Sequence, residues 1–306
     1  MAVSPRLIRR RITSVQNTRK ITSAMEMVAA AKMRRAVAAA LQSRAYAHLA
    51  WEMVTSLTGV VTEAMHPLLR QASDGAHADA GVLYMVMASD RGLCGGFNAQ
   101  LFRTLQRDVR ERAEQRVQFV TIGKKAEQFI KRQGWELVAS FTDKSVAPKI
   151  AELRPAARLA MDAFTRGEVT SVRIAFTDFM SALQQRPIVR TLLPLQRFAE
   201  LGPQAGVPAN AERAPSARGA TTILMEPSPH AVLSTMLPRL VELQVYQAYL
   251  DTGASEHSAR MVAMRSASDA ASEMIDALSL SFNRARQAVI TQEIAEISAG
   301  SAALAH

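Results

Sequence analysis

The sequence is short of several things, and each shortage narrows what the chain can be. It has a single cysteine, Cys94, so no internal disulfide and no cysteine-clustered metal site can form. That usage fits a reducing compartment. Aromatic residues make up only 5%, far from the Tyr, Trp and Val enrichment of an all-β protein. No run of about 18 apolar residues occurs, so no segment has the makings of a membrane-spanning helix. The six histidines, His48, His66, His77, His230, His257 and His306, are scattered. None stands at metal-ligand spacing from another histidine, the cysteine or an acidic cluster. Acids are almost missing at the start: the first 44 residues hold ten Lys and Arg against one acid, Glu26.

What is present is a chain of 306 residues, 48% hydrophobic, with 15 methionines and a formal net charge of +10. The length suggests about two domains, and the usage is helix-rich. The charge points to an acidic protein surface, nucleic acid or an anionic membrane face as partner. The Arg-rich, acid-poor start resembles a transit peptide. Its pattern carries straight on into a helix, however, so it is read as mature sequence.

Periodicity dominates both ends. From Leu233 a 3-4 spacing picks out Met236, Leu240, Leu243, Gln247, Leu250, Ala254, His257, Met261, Met264, Ser268, Ala271, Ile275, Leu278, Phe282, Ala285 and Val289. Most of these positions are apolar or small, which is a sustained heptad seam. A helix of about 70 residues runs roughly 105 Å, several times the diameter of a small domain. It must project and find a partner for its stripe. Ser228 and Pro229 read as its cap and first residue, and Pro238 should bend it. The first fifth reads the same way over residues 4–58. Ser4 and Pro5 open it, Ile8, Ile12 and Val15 start a stripe, and Ile21, Met25 and Val28 resume it on a shifted face. Gly59 and Pro67 close it.

Between the ends the period changes. Strands are expected at 82–88, 117–122, 136–141, 171–176 and 188–193, and helices at 99–113, 124–132 and 150–166. A polar loop is expected at 181–186. Alternating strands and helices make an α/β layer with a mainly parallel, Rossmann-like sheet. The expected organisation is therefore a long antiparallel coiled coil of the terminal helices plus a central α/β domain. Residues 1–66 form the N-terminal helix, 80–200 the α/β domain, 201–227 a flexible insertion with a foot strand, and 228–306 the C-terminal helix. Residues 201–220 hold Pro and Gly among Ala, Arg and Asn, a loop composition.

No active site assembles. Ser89-Asp90-Arg91-Gly92-Leu93-Cys94-Gly95-Gly96-Phe97-Asn98 follows a strand and precedes a helix, where glycines can cradle a phosphate. It lacks both the Walker Lys-Ser/Thr and the dinucleotide glycine pattern. The plainer reading is a tight strand-to-helix turn. Gly123-Lys124-Lys125 lacks the upstream glycine spacing of a phosphate loop. Cys94 has no neighbouring base in the sequence. No catalytic residue, cofactor or metal is expected. The basic N-terminal helix leaves one alternative open, a coiled-coil protein that binds nucleic acid, but it carries no aromatics for stacking.

Three blocks resemble the γ subunit family of F-type ATP synthases: IRRRITSVQNTRKITSAMEMVAAAKMRRA at 8–36, SDRGLCGGFNAQL at 89–101 and ASEHSARMVAMRSASDAASEMIDALSLSFNRARQAVITQEIAEI at 254–297. They stand in order along nearly the whole chain. The resemblance implies a central rotor stalk, with no catalytic group of its own. Its coiled coil turns inside a ring of α and β subunits, and its α/β domain rests on the ε subunit and the c ring. Proton flow through the c ring drives the turning. It also implies a peripheral place on the cytoplasmic face of a bacterial inner membrane. By matched positions, Arg286, Gln287, Arg91 and Met25 resemble contacts to β. Ile290, Ile294 and Ile297 resemble a greasy bearing at the tip, and Glu226 resembles a foot residue near ε and the c ring. Ser23 departs from the family's frequent lysine.

Overall fold

A computed structural model describes residues 4–55, 66–70, 81–112, 116–195 and 228–304, leaving aside the side chains of 44–55, 229, 300 and 302–304. The expectations for residues 56–65, 71–80 and 196–227, Glu226 and the 201–220 insertion among them, lie outside the described residues. The chain divides into two compact units, residues 30–259 and residues 1–29 with 260–306.

The larger unit is built on five strands: β1 (Gly81–Met87), β2 (Val117–Ile122), β3 (Glu136–Phe141), β4 (Val169–Phe179) and β5 (Gln185–Leu193). Their order is β3-β2-β1-β4-β5. The first four are parallel neighbours, and β5 runs antiparallel to β4. The helices between them are α2 (Phe97–Arg110), α3 (Lys124–Gln133) and α4 (Ile150–Thr165). The long helices are α1 (Pro5–Thr55), of 51 residues, and α5 (Pro229–Leu304), of 76 residues. Both enter both units.

β1 is buried along its whole length because it is central and covered on both faces. Alternation then divides its side chains. Val82, Tyr84 and Val86 join one core with Phe119, Leu101, Leu105 and Ile130. Leu83, Met85 and Met87 join the other with Val120, Leu153, Ala157, Leu233, Leu237 and Val241. The first core is closed by α2 and α3, the second by α4 and the opening turns of α5. α2 shows why: Phe97, Leu101, Leu105 and Val109 recur every four residues and are its buried set. β3, at the edge, alternates exposed and half-buried instead.

In the smaller unit α1 and α5 pair. Thr22 Oγ1 and Ser268 Oγ are hydrogen-bonded at 2.7 Å. Two heptads back from Thr22 stands Ile8, 6% exposed, and two heptads on from Ser268 stands Phe282, half-buried. α1 leaves this unit after residue 29 and α5 enters it at residue 260, so the two helices run antiparallel. The α5 seam here is the expected one from Met261 through Ala285, each position buried or half-buried. It ends one heptad position early, because Val289 is 38% exposed.

The α1 stripe differs from the expected one. Ile21 and Val28 are 61% and 55% exposed. The heptad count from Ile8, Ile12 and Val15 leads instead through Thr22 and Glu26 to Ala29, which is 1% exposed. Thr22 and Ala29 take seam positions here, and the larger apolar Ile21 and Val28, each one position away, face outward.

Other expectations moved by a few residues. The cap at Ser228 is present, its Oγ accepting from the Ala231 N–H at 3.2 Å. β4 and β5 are longer than expected, so the polar loop shrinks to the residues between Phe179 and Gln185.

Candidate functional site

The turn after β1 is held by its own side chains. Ser89 is fully buried; its N–H donates to Asn98 Oδ1 at 3.3 Å and its hydroxyl to the Arg91 carbonyl at 2.7 Å. Asn98 Nδ2 donates back to Ser89 Oγ at 2.7 Å and to Cys94 Sγ at 3.4 Å. Asp90 Oδ1 accepts the backbone N–H of Lys124 at 3.0 Å. A carboxylate at the first N–H groups of α3 complements the helix dipole. Gly123 sits against the turn with φ +105, and a Cβ there would meet the Ala88 carbonyl oxygen at 2.0 Å. The motif is thus a strand-to-helix turn whose polar groups serve the turn itself.

That turn pushes two side chains outward. Arg91 is exposed. Leu93 is 62% exposed and has φ +63, a left-handed conformation that a leucine rarely adopts. Such strain persists where the surroundings impose it, and it gathers at functional positions. Cys94, between them and Asn98, is buried.

The second group of expected residues lies at the end of α5. Beyond Ala285 every described residue to Ala299 is exposed, Arg286 and Gln287 included. Ile290, Ile294 and Ile297 are 45%, 61% and 73% exposed. Their spacing of four and three, extended back to Arg286, places them on one helical face. A bare apolar face on a single helix has no stabilising partner within this unit. Met25 is half-buried on α1 in the same unit. Arg91 belongs to the other unit, and Glu226 lies outside the described residues. The expected residues therefore do not share one surface: Arg91 lies in the other unit, and Met25 stands one turn from Thr22, whose partner Ser268 precedes the Ile290 face by several turns of α5.

On the first turns of α1, Arg6, Arg9, Arg10, Arg11, Arg19 and Lys20 are all exposed around the buried Ile8. Among the described residues, no group of three or more His, Cys, Asp and Glu could hold a metal, and no helix is long and apolar enough to cross a membrane.

Comparison with known proteins decides the family. The family model described as ATP synthase matches residues 4–304. The ATP synthase gamma chain of Heliobacterium modesticaldum is 41% identical over 97% of this chain and 98% of its own. That of Opitutus terrae is 42% identical over 99% of each. This chain belongs to the ATP synthase gamma chain family. Among solved structures it is similar to a chain of the Euglena gracilis mitochondrial ATP synthase, in an OSCP/F1/c-ring structure, with TM-score 0.64. The identity is 16%, and the match covers 98% of this chain and 94% of that one. A rotor structure from the same organism gives TM-score 0.60 at 17% identity, covering 94% and 98%. Those likenesses establish the fold.

Sequence reasoning missed two features of this chain. One is the Thr22–Ser268 bond, since two small polar residues in a seam look like weak positions. The other is a polar stretch of α5, Gln247, Asp251, Thr252, Ser255 and Ser258, all buried. The seam count had named only Gln247 among them. Its signal was there to read: too many polar residues on the faces beside the seam.

Proposed function

We propose that this chain is the central rotor stalk of an F-type ATP synthase, a non-catalytic subunit that carries c-ring rotation to the catalytic β subunits. The observation that carries this reading is the end of α5. The paired seam stops at Ala285, and the helix continues bare, with Arg286, Gln287 and the Ile290, Ile294, Ile297 face exposed. A helix of this kind needs an outside surface. A ring of α and β subunits supplies one, with Ile290, Ile294 and Ile297 running in an apolar bearing and Arg286 and Gln287 meeting β. Met25 and Arg91 are assigned as further β contacts. The strained, exposed Leu93 beside Arg91 supports the second assignment. Glu226 and residues 201–227 are assigned to the foot, toward ε and the c ring.

The mechanism is mechanical. The tip presents different side chains in different directions, so each β subunit meets a different face at any moment. Moving one β site from 1:99 to 99:1 between two conformations takes roughly 5.5 kcal/mol of differential contact. One charge pair at 4 Å and an effective dielectric of 20 is worth about 4 kcal/mol before desolvation. A few side chains thus suffice, provided they differ among the three sites. The chain is peripheral to the membrane on this reading, tied to it through the c ring and lying on the cytoplasmic face in a bacterium.

The test is reconstitution. The purified chain alone hydrolyses no ATP, copurifies with α and β, and restores ε-responsive hydrolysis coupled to proton pumping. Failure to copurify with α and β rejects the reading.

A further inference from the structure

β4 is longer than the parallel sheet needs. Its pairing with β1 ends at Ala175, yet β4 continues paired with β5 from Phe176↔Ile188 to Phe179↔Gln185. The two strands form an arm beyond the sheet. A lone two-stranded arm is marginal in water, and this one is seated on α5.

The seat is polar. Ser255 Oγ donates to the Thr177 carbonyl at 3.3 Å. Ser258 Oγ donates to the Ala182 carbonyl, and Gln185 Nε2 donates to Ser258 Oγ at 3.4 Å. Asp178 and Asp251 are buried, 2% and 5% exposed. Gln247 Nε2 donates to the Asp251 carboxylate at 3.3 Å. The Arg190 guanidinium lies over the Phe176 ring, 5.1 Å from its centroid. Burial pulls that guanidinium below its usual range, and the nearby carboxylates of Asp178 and Asp251 oppose the shift. Arg186 reaches Asp178 at 3.7 Å from the solvent side.

The preceding turns of α5 are different. Leu233, Leu237, Leu240, Val241, Val245 and Ala248 pack on the sheet through apolar contact. Apolar burial is strong and non-directional, so by itself it tolerates small rotations of a helix about its axis. A buried polar seat does not. Turning α5 there would strand the Ser255 and Ser258 hydroxyls and the carbonyls they serve, and each stranded group carries its full desolvation cost.

We propose that the β4–β5 arm is a torque clamp, in which Ser255 and Ser258 of α5, bonded to Thr177, Ala182 and Gln185 of the arm, are positioning residues that fix the rotational setting of α5 on the sheet. Torque received by the α/β domain then passes into α5 without slip. The proposal rests on the rotor reading and deepens it: the apolar core holds the helix on, and the polar arm holds it at one angle.

The experiment uses the complete synthase reconstituted in vesicles, with the chain carrying S255A together with S258A. ATP hydrolysis, protons pumped per ATP, and the opposing proton gradient at which pumping stalls are measured. The double variant is expected to assemble and hydrolyse ATP near the normal rate. Its pumping should stall at a clearly smaller gradient, and protons per ATP should fall as the load rises. Ser255→Thr with Ser258→Thr, which keeps both hydroxyls, should restore the stall point. An unchanged stall point in the alanine variant overturns the clamp. So does a proportional loss of hydrolysis and pumping that tracks lost assembly, because that is a purely structural role. If the unaltered chain supports no pumping in the same vesicles, it is the rotor reading that fails.

Discussion

The two units of this chain hold themselves together in opposite ways. The sheet unit buries large side chains in two cores, with Tyr84, Phe119, Leu83, Met85, Leu101 and Leu105 fully enclosed. The helix-pair unit has, among its described residues, only Ile8, Ala29, Met264 and Ala271 as buried apolar residues, and a serine–threonine bond between its helices. Five of its larger apolar residues, Ile21, Val28, Ile290, Ile294 and Ile297, face outward. The difference teaches what each part is for. One unit is built for stability of its own, while the other spends its apolar surface on something outside itself. Substitutions in the first should therefore register in denaturation, and substitutions in the second should register in coupling.

The largest effect should come from Gly123→Ala in the sheet unit. The new Cβ meets the Ala88 carbonyl at φ +105, and neither backbone segment can yield without disturbing the Ser89 turn. A cost of about 3 kcal/mol is expected, read as a lowered urea midpoint of the purified chain. A wild-type midpoint would mean that the turn is soft.

Tyr84 gives a smaller effect with a pH signature. Its hydroxyl donates to Asp108 Oδ2 at 2.6 Å, and Arg173 Nη2 donates to Asp108 Oδ1 at 2.9 Å. Burial pushes the phenol up, reinforced by the Asp108 hydrogen bond and charge. A raised folded value means that the stabilisation is fully present below the unfolded phenol value of about 10 and is lost as pH rises above it. Tyr84→Phe should cost about 2 kcal/mol at neutral pH and flatten the alkaline decline in denaturation curves. An unchanged alkaline slope would remove Tyr84 as its cause.

The smallest stability effect belongs to the helix pair. Thr22→Val deletes the bond to Ser268 at a cost of about 1 kcal/mol, barely visible in denaturation of the whole chain. In the assembled synthase it should lower protons pumped per ATP hydrolysed while hydrolysis persists. Equal losses in both would break the contrast between the units.

The sequence was legible where one physical signal ruled. The α5 seam could be read residue by residue because a heptad in a two-helix pair has one face to bury. β1 was legible as a seven-residue apolar run bounded by glycines and polar turn residues, the pattern of a strand covered on both sides. α1 misled because Ile21 and Val28 are apolar, and apolar residues ordinarily mark the buried face. Here they mark an outer face, and Thr22, Glu26 and Ala29 mark the inner one. The β4–β5 arm was cut short for a related reason. Residues 181–186 are polar, and polarity suggested loop; 181–184 are loop, but Gln185 and Arg186 belong to β5, and the Gln185 side chain reaches Ser258 on α5. Of the expected contacts, exposure at the α5 end could be read from the heptad alone. The roles of Arg286, Gln287, Arg91, Met25 and Glu226 came only from family resemblance.

The most direct measurement fixes α and β subunits to a surface, attaches a visible probe to the α/β domain of this chain, and supplies ATP. Sustained rotation of the probe in one direction, stopping when ATP is exhausted, is the result expected of a stalk. Continued ATP hydrolysis by the immobilised complexes with the probe stationary or moving at random would contradict it.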